Sequence, residues 1–75
     1  MTVLSNLSPG QLGTIHAIHA EQALYQRLNA LGFRIGKQIT LIRRANFNGP
    51  LHVRIGGTDI ILREIEAQRI QLQAV

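Results

Sequence analysis

The stretch "LGFRIGKQI", from Leu31 to Ile39, decides the fold, because two glycines and a lysine stand between a helical pattern and an extended one. A Walker-type phosphate loop needs four residues between its glycines, followed by Lys and a Ser or Thr. Gly32 and Gly36 enclose only three residues, and Gln38 stands where the hydroxyl side chain belongs. Such a loop also leaves a strand and opens a helix, which is the reverse of the order here. We therefore interpret the stretch as a helix-to-strand joint.

A helix of about three turns precedes the joint and begins near Ala20. Leu24, Leu28 and Leu31 recur at the four- and three-residue spacing that places side chains on one helix face. Gly32 follows the last of them, at a position where glycine adopts the left-handed conformation of a helix cap without steric strain. The helix is therefore expected to end at the joint.

Five short strands are predicted around this helix from the alternation of apolar and polar side chains. They cover residues 14–18, 37–44, 51–55, 58–63 and 70–74. A meander of three strands, then a single helical turn near 63–69 and a last strand, is the arrangement of an SH3-like barrel, in which closure removes exposed edges. The sequence thus predicts a mainly β fold, a small SH3-like five-stranded barrel with one inserted α-helix, made by residues 1–75 as one domain. Phe33 and Ile35 are expected to plug one end of it.

Composition excludes several classes of function. A chain of 75 residues buries only about 60% of the surface that its unfolded form exposes, which leaves little room for a catalytic cleft. There is no cysteine, no Ser-His-Asp set and no convincing acid-base pair among the four acidic residues, so we predict neither enzymatic activity nor a bound cofactor. No apolar run approaches the roughly 18 residues of a membrane-spanning helix, and we expect a cytoplasmic protein without direct membrane insertion. The net charge of +4 suits an acidic partner, whether nucleic acid, anionic lipid or protein.

Four segments resemble a known family through their order and spacing: "LSNLSPGQLGTI", "RLNALGFRIGKQI", "GPLHVRIGG" and "ILREIEAQRIQL". They look like the FeoA family of small cytoplasmic proteins that accompany the bacterial ferrous-iron permease. The matching positions are Leu7, Gly10, Arg27, Leu28, Leu31, Gly32, Gly36, Gly49, Pro50, Leu62, Arg63, Glu66, Ala67 and Ile70. The resemblance covers nearly the whole chain.

This resemblance implies an SH3-like fold and a role in ferrous iron uptake. The protein would bind and modulate the FeoB-type permease, a membrane protein with a cytosolic G-protein domain, and would be peripheral at the inner membrane through that partner. The same module occurs at the C-terminal end of iron-dependent repressors, so a nucleic-acid-binding or iron-dependent regulatory module is the alternative. No helix-turn-helix precedes the module here, which favours the transport accessory.

One loop departs from the family pattern. Where the family often has Ala-Pro-Leu-Gly, this chain has "ANFN", from Ala45 to Asn48. Asparagine tolerates a positive φ better than other non-glycine residues, so the turn can be kept at Asn48. We expect Phe47 to be exposed at the tip of this loop, where a partner contact would differ from that of typical members.

Candidate metal ligands are few. His16 and His19 are three residues apart, and on a strand such residues point to opposite faces. Glu21 is the only carboxylate nearby, whereas ferrous sites generally combine two histidines with a carboxylate. We therefore predict no metal site and treat the two histidines as solvated side chains at a strand end.

Candidate partner-binding residues fall into two groups. Tyr25 and Arg27 lie off the leucine face of the helix and can meet a partner. The second group is a basic strip on adjacent strands with an aromatic at its edge, made of Arg43, Arg44, Phe47, His52 and Arg54. Such strips bind nucleic acid when several aromatics stack on bases, but this chain has few, so nucleic acid is the less favoured partner and a plain solvated face is another interpretation. Edge strands also allow self-association. Arg63 and Glu66 are expected to form an ion pair or a helix cap.

Overall fold

Six strands form one antiparallel sheet in the computed structural model, which describes residues 2–74. They are β1 (Thr2–Val3), β2 (Leu12–Ile18), β3 (Gln38–Arg44), β4 (Leu51–Ile55), β5 (Thr58–Leu62) and β6 (Ile70–Ala74). Their order across the sheet is β1-β6-β2-β3-β4-β5. Helix α1 (Gln22–Ala30) connects β2 to β3, and the single turn α2 (Glu64–Ala67) connects β5 to β6. The predicted mainly β fold with one inserted helix is confirmed.

The prediction of five strands is wrong by one. Strand β1 has only two residues, too few to show an alternating pattern, and it pairs with β6 at Thr2 opposite Leu72 and Val3 opposite Gln71. The sheet is also not closed by hydrogen bonds as the predicted barrel would be. Within residues 2–74, β1 and β5 remain its two edges, because a two-residue β1 has few backbone groups on which a closing ladder could form.

Helix α1 begins at Gln22 and not near Ala20, because Glu21 is its N-cap. The Glu21 carboxylate accepts hydrogen bonds from the backbone N–H of Ala23 at 3.0 Å and of Leu24 at 2.7 Å. Two of the helix's unpaired N-terminal donors are thereby satisfied, and the negative charge stands at the positive end of the helix dipole. The Glu21 carboxylate therefore has a structural role as the N-cap of α1.

The joint at the C-terminal end of α1 has the geometry of a Schellman cap. Gly32, with a φ of +102°, donates its N–H to Asn29 O at 3.0 Å, and Phe33 donates to Leu28 O at 2.9 Å. This path carries Phe33 into the core, where it is fully buried, as expected. The expectation for Ile35 is wrong, because its side chain is 67% exposed at the tip of the following turn.

The core lies on the inner face of the sheet and is covered by residues of both helices. Leu28 of α1 and Ala67 of α2 are fully buried, whereas Leu31, expected on the same face as Leu28, is 40% exposed beside the cap. The remaining buried apolar side chains are Leu4, Leu7, Ile15, Phe33, Ile39, Leu41, Leu51, Val53, Ile55, Ile60, Leu62, Ile70 and Leu72. Since almost every inward side chain is aliphatic, stability rests on packing.

Candidate docking surface

Two adjoining grooves run along the side of the molecule where α1, α2 and the end of β5 meet. The first has a volume of about 350 Å³ and is lined by Arg27, Leu31, Pro50, Ile61, Leu62, Arg63 and Glu66. The second has a volume of about 250 Å³ and is lined by Ala20, Glu21, Leu24, Ile65, Glu66 and Arg69. Glu66 belongs to both grooves, and we call the two together the docking surface.

Three apolar side chains are exposed on the docking surface: Leu31 by 40%, Ile61 by 65% and Ile65 by 60%. Ile61 points outward because its strand neighbour Ile60 is buried and successive strand residues face opposite sides. Ile65 stands on the solvent side of α2. Exposed apolar groups gathered in a groove with a charged rim are typical of a protein interaction site.

An ion pair between Arg27 and Glu66 crosses the docking surface and joins α1 to α2. Glu66 Oε1 also accepts a hydrogen bond of 2.9 Å from the backbone N–H of Arg63, which confirms the expected cap of α2. Partial burial raises the pKa of Glu66, but the hydrogen bonds from the Arg63 N–H and the Arg27 guanidinium outweigh it and hold that pKa below its usual value. The pair therefore remains charged and helps to fix the two helices relative to each other.

The two predicted partner-binding residues of α1, Arg27 and Tyr25, lie in different places relative to the docking surface. Arg27 lines the docking surface with a side chain that is 56% exposed, so it can still meet a partner while paired with Glu66. Tyr25 is 37% exposed on α1 and lies outside the two grooves. Partner binding by both residues stays a prediction.

Two members of the predicted basic strip, His52 and Arg54, are held by one carboxylate. Arg54 Nε donates a hydrogen bond of 2.6 Å to Asp59 Oδ1, and His52 Nε2 lies 2.9 Å from Asp59 Oδ2. Asp59 stands directly opposite Arg54 in the ladder of β4 and β5. The hydrogen bonds from Arg54 and then from His52 hold the pKa of Asp59 well below its usual range. A negative charge on β5 thus lies beside the strip and pairs with two of its members.

Arg44 is tied into the fold, whereas Arg43 beside it is exposed. The Arg44 guanidinium donates to the carbonyl oxygens of Ser5 and, at 3.0 Å, of Leu7, and to Glu64 Oε2 at 3.0 Å. Its side chain is 25% exposed. Arg44 thereby joins the N-terminal segment, β3 and α2, and Arg43 is the member of the strip whose charge has no acidic partner among residues 2–74.

The β3–β4 loop presents Phe47 as expected. Its side chain is 100% exposed, and both Phe47 and Asn48 have positive φ, of 58° and 56°. The positive φ at Asn48 confirms the turn that the sequence predicts. For Phe47 the left-handed conformation was not predicted, and it costs a non-glycine residue about 1 kcal/mol or more.

The two candidate histidines lie on and just after β2. His16 is exposed at a bulge, between Ile15 and Ala17 in the ladder with β6, and the ring of His19 lies 3.3 Å from Gln71 Oε1. Across residues 2–74, no group of three or more His, Cys, Asp or Glu side chains is placed to hold a metal ion.

Sequence reasoning missed Ile61 and Ile65, although signals for both were present. Ile60 and Ile61 are adjacent in a strand, so one of them had to face outward. Ile65 stands among charged residues in "REIEAQ", where a lone apolar residue on a short turn has little chance of being buried. No local pattern could reveal that Ile61 and Ile65 line two adjoining grooves beside α1.

Known proteins share this structure. A family model described as the FeoA domain matches residues 2–74. The solution structure of iron(II) transport protein A from Clostridium thermocellum is 31% identical with a TM-score of 0.93, over 99% of this chain and 46% of that one. This chain therefore spans about half the length of that relative. FeoA from Stenotrophomonas maltophilia, solved in complex with zinc, is 28% identical with a TM-score of 0.84, over 97% of this chain and 91% of that one.

A manganese-dependent transcriptional repressor shares the fold, with 20% identity and a TM-score of 0.88 over 97% of this chain and 41% of that one. No curated protein sequence matches significantly. The Stenotrophomonas protein is described as an SH3 domain protein, and the SH3-like prediction is confirmed. Within residues 2–74, no helix is long and apolar enough to cross a membrane. The chain belongs to the FeoA family, which is associated with ferrous iron transport.

Proposed function

We propose that this protein is a cytoplasmic accessory of ferrous iron uptake that binds the cytosolic G-protein domain of a FeoB-type permease. It modulates transport or the GTP cycle of that partner and catalyses no reaction itself. The observation that carries the proposal is the docking surface, where exposed apolar side chains at the C-cap of α1, on β5 and on α2 surround one ion pair. Family membership supplies the transport context.

The chemistry of the docking surface suits a protein partner. Burying an apolar side chain such as Ile61 or Ile65 contributes up to about 1.5–3 kcal/mol, according to the area removed from water. The Arg27–Glu66 pair is already formed in the free protein, so a partner needs no rearrangement to meet a defined set of charges. Small grooves of this depth accept side chains from a partner helix or loop and are too open to enclose a metabolite.

The alternative of nucleic-acid binding has less support. In the predicted strip, Asp59 holds His52 and Arg54, and the carbonyls of Ser5 and Leu7 hold Arg44. Because two of its basic side chains are paired with the Asp59 carboxylate, the strip offers phosphate less unopposed positive charge. The likeness to the manganese-dependent repressor concerns the fold alone.

Co-purification from detergent-solubilised membranes tests the proposal. The tagged protein should bring down the permease, and the double variant Ile61→Thr, Ile65→Gln should not, because it removes apolar area from the docking surface alone. Ile35→Thr is the control, since Ile35 is 67% exposed on the turn after α1, outside the two grooves, and undergoes the same change of side chain as Ile61. Circular dichroism must show that all three proteins are folded.

Each result has a clear meaning. Loss of the permease with the double variant and retention with Ile35→Thr supports the docking surface. Equal recovery by all three proteins refutes this surface, and recovery of nuclease-sensitive nucleic acid in place of a membrane protein refutes the function. A separate Tyr25→Ala variant shows whether the contact extends over the rest of α1.

A further inference from the structure

The distribution of charge leaves several cations without an acidic partner among residues 2–74. All four acidic residues are committed: Glu21 caps α1, and the other three pair with Arg27, Arg44 and Arg54. Five basic residues consequently have no carboxylate within 4.0 Å in the part of the chain that the structure describes. They are Arg34, Lys37, Arg43, Arg63 and Arg69. These five positive charges and the negative charge of Glu21 together account for the net charge of +4.

Two of these cations flank an exposed isoleucine on a single rigid turn. The turn from Arg34 to Lys37 is closed by a hydrogen bond of 3.0 Å from Lys37 N to Arg34 O. Gly36, with a φ of +92°, occupies its third position, which is the type II pattern and requires a positive φ there. Ile35 occupies the second position with its side chain 67% exposed. The tip therefore presents one apolar group between two positive charges.

The turn is held from beneath by the sheet. Gly36 N donates to Ile15 O at 2.8 Å, and Ile15 N donates to Lys37 O at 2.8 Å. On its inner side Phe33 is fully buried, so the turn cannot fold Ile35 inward without losing the core contacts of Phe33. Leu12, 38% exposed, shares a shallow depression with Gly36 and Lys37 and enlarges the apolar area. The exposure of Ile35 is thus built into the fold.

We propose that this turn contacts the anionic surface of a lipid bilayer, with Arg34 and Lys37 on lipid phosphates and Ile35 in the interfacial layer. The charge of the turn is complementary to an anionic leaflet, and an apolar side chain between cations is the composition of interfacial anchors. Ile35 projects from the turn and is 67% exposed, so a folded protein partner would have to supply a cavity for it, whereas a headgroup layer needs none. This contact goes beyond the proposed function, because it requires no permease.

The contact is weak by itself and adds to a protein contact. Each Lys or Arg near an anionic surface strengthens binding about fivefold. Leu31 lines the first groove of the docking surface and also a depression that Lys37 lines, so the two contacts are adjacent on the molecule. A protein held to a membrane partner by its groove would bring the turn to the bilayer at high local concentration.

Vesicle sedimentation tests the inference with purified protein alone. Vesicles of phosphatidylglycerol and phosphatidylcholine in equal amounts should bind the wild type at low salt, and vesicles of phosphatidylcholine should not. Arg34→Gln and Lys37→Gln should each weaken partitioning about fivefold, and Ile35→Ser should weaken it without a change of charge. Arg43→Gln is the matched control, because Arg43 lies about 20 Å further along β3 at about 3.3 Å per residue and should change partitioning less than twofold.

Three results would overturn the inference. The first is the absence of binding to anionic vesicles. The second is an equal loss for Arg43→Gln and the turn variants, which would show attraction by net charge only. The third is binding to the isolated G-protein domain without lipid, if the turn variants abolish that binding. This result would show that the turn contacts a protein. The double variant Ile61→Thr, Ile65→Gln should bind vesicles normally, so failure of the proposed function remains distinguishable.

Discussion

Replacing Arg44 by alanine should destabilise the protein far more than the same replacement of Arg43. Arg44 donates to the carbonyls of Ser5 and Leu7 and to the carboxylate of Glu64, whereas Arg43 is exposed. Hydrogen bonds from a charged donor are worth about 1.5–3 kcal/mol when buried, and the 25% exposure of Arg44 places these at or below the low end. The partly exposed ion pair adds about 1 kcal/mol at most. The sum is about 2–4 kcal/mol.

This loss is large for a small domain. A chain of 75 residues has a free energy of unfolding of about 4–11 kcal/mol at the usual 0.05–0.15 kcal/mol per residue. For a domain of this size, 1 kcal/mol shifts Tm by about 4–8 °C, so Arg44→Ala should lower Tm by about 10 °C or more. Arg43→Ala should stay within about 0.5 kcal/mol of the wild type.

Thermal and urea unfolding followed by far-UV circular dichroism measures both variants. Arg44→Lys should fall between Arg44→Ala and the wild type, because one ammonium group cannot reach the three acceptors in the way a planar guanidinium does. Equal stability of Arg44→Ala and Arg43→Ala would show that the hydrogen bonds of Arg44 do not hold the N-terminal segment, β3 and α2 together. Arg44 would then again be a candidate for partner binding in the basic strip.

Three further predictions follow from the same structure. Phe33→Ala should cost about 3–5 kcal/mol, and retention of near-wild-type Tm would show that the joint is not seated in the core. Phe47→Asn should raise Tm by a few degrees, because asparagine tolerates the positive φ that strains phenylalanine; a lower Tm would mean that the aromatic ring has a contact. The pKa of Glu66 is lowered by folding, so its contribution to stability is full above its usual pKa of 4.5 and is lost as pH falls through the lower folded value. Glu66→Gln should therefore reduce the acid-side pH dependence of unfolding, and an unchanged profile would contradict this.

Periodicity and glycine positions were enough to predict most of the fold. The alternation in "LHVRIGGTDIIL" and the spacing of the leucines in α1 predicted β4, β5 and the helix, because one face of each element is buried and the other is solvated. Gly32 was correctly predicted as the helix cap. Strand β1 escaped prediction because its two residues carry no period and its partner β6 lies at the other end of the chain.

The site was harder to predict, and for two different reasons. The pairing of Arg54 with Asp59 was available from the sequence, since a two-residue hairpin at Gly56 and Gly57 fixes the register of β4 and β5. The hydrogen bond from Arg44 to Ser5 could not be predicted from the sequence. It joins residues 39 apart, and its acceptor is a backbone carbonyl, which every residue has.

The exposure of Ile35 reverses the expectation that it plugs one end of the fold together with Phe33. Phe33 and Ile35 would share a face only if the chain stayed extended, but the Schellman cap and the turn closed by Lys37 rotate the backbone between them. Apolar residues in a joint of this kind therefore cannot be assigned to the core from their spacing.

The most direct test of the central claim is a titration of this protein with the isolated cytosolic domain of the permease, measured by calorimetry. The account predicts binding by the wild type and by Ile35→Thr with equal Kd. It predicts a Kd at least about tenfold higher for Ile61→Thr with Ile65→Gln, since about 0.7 kcal/mol or more should be lost at each position. Equal Kd values for all three proteins, or no binding by the folded wild type, would contradict it.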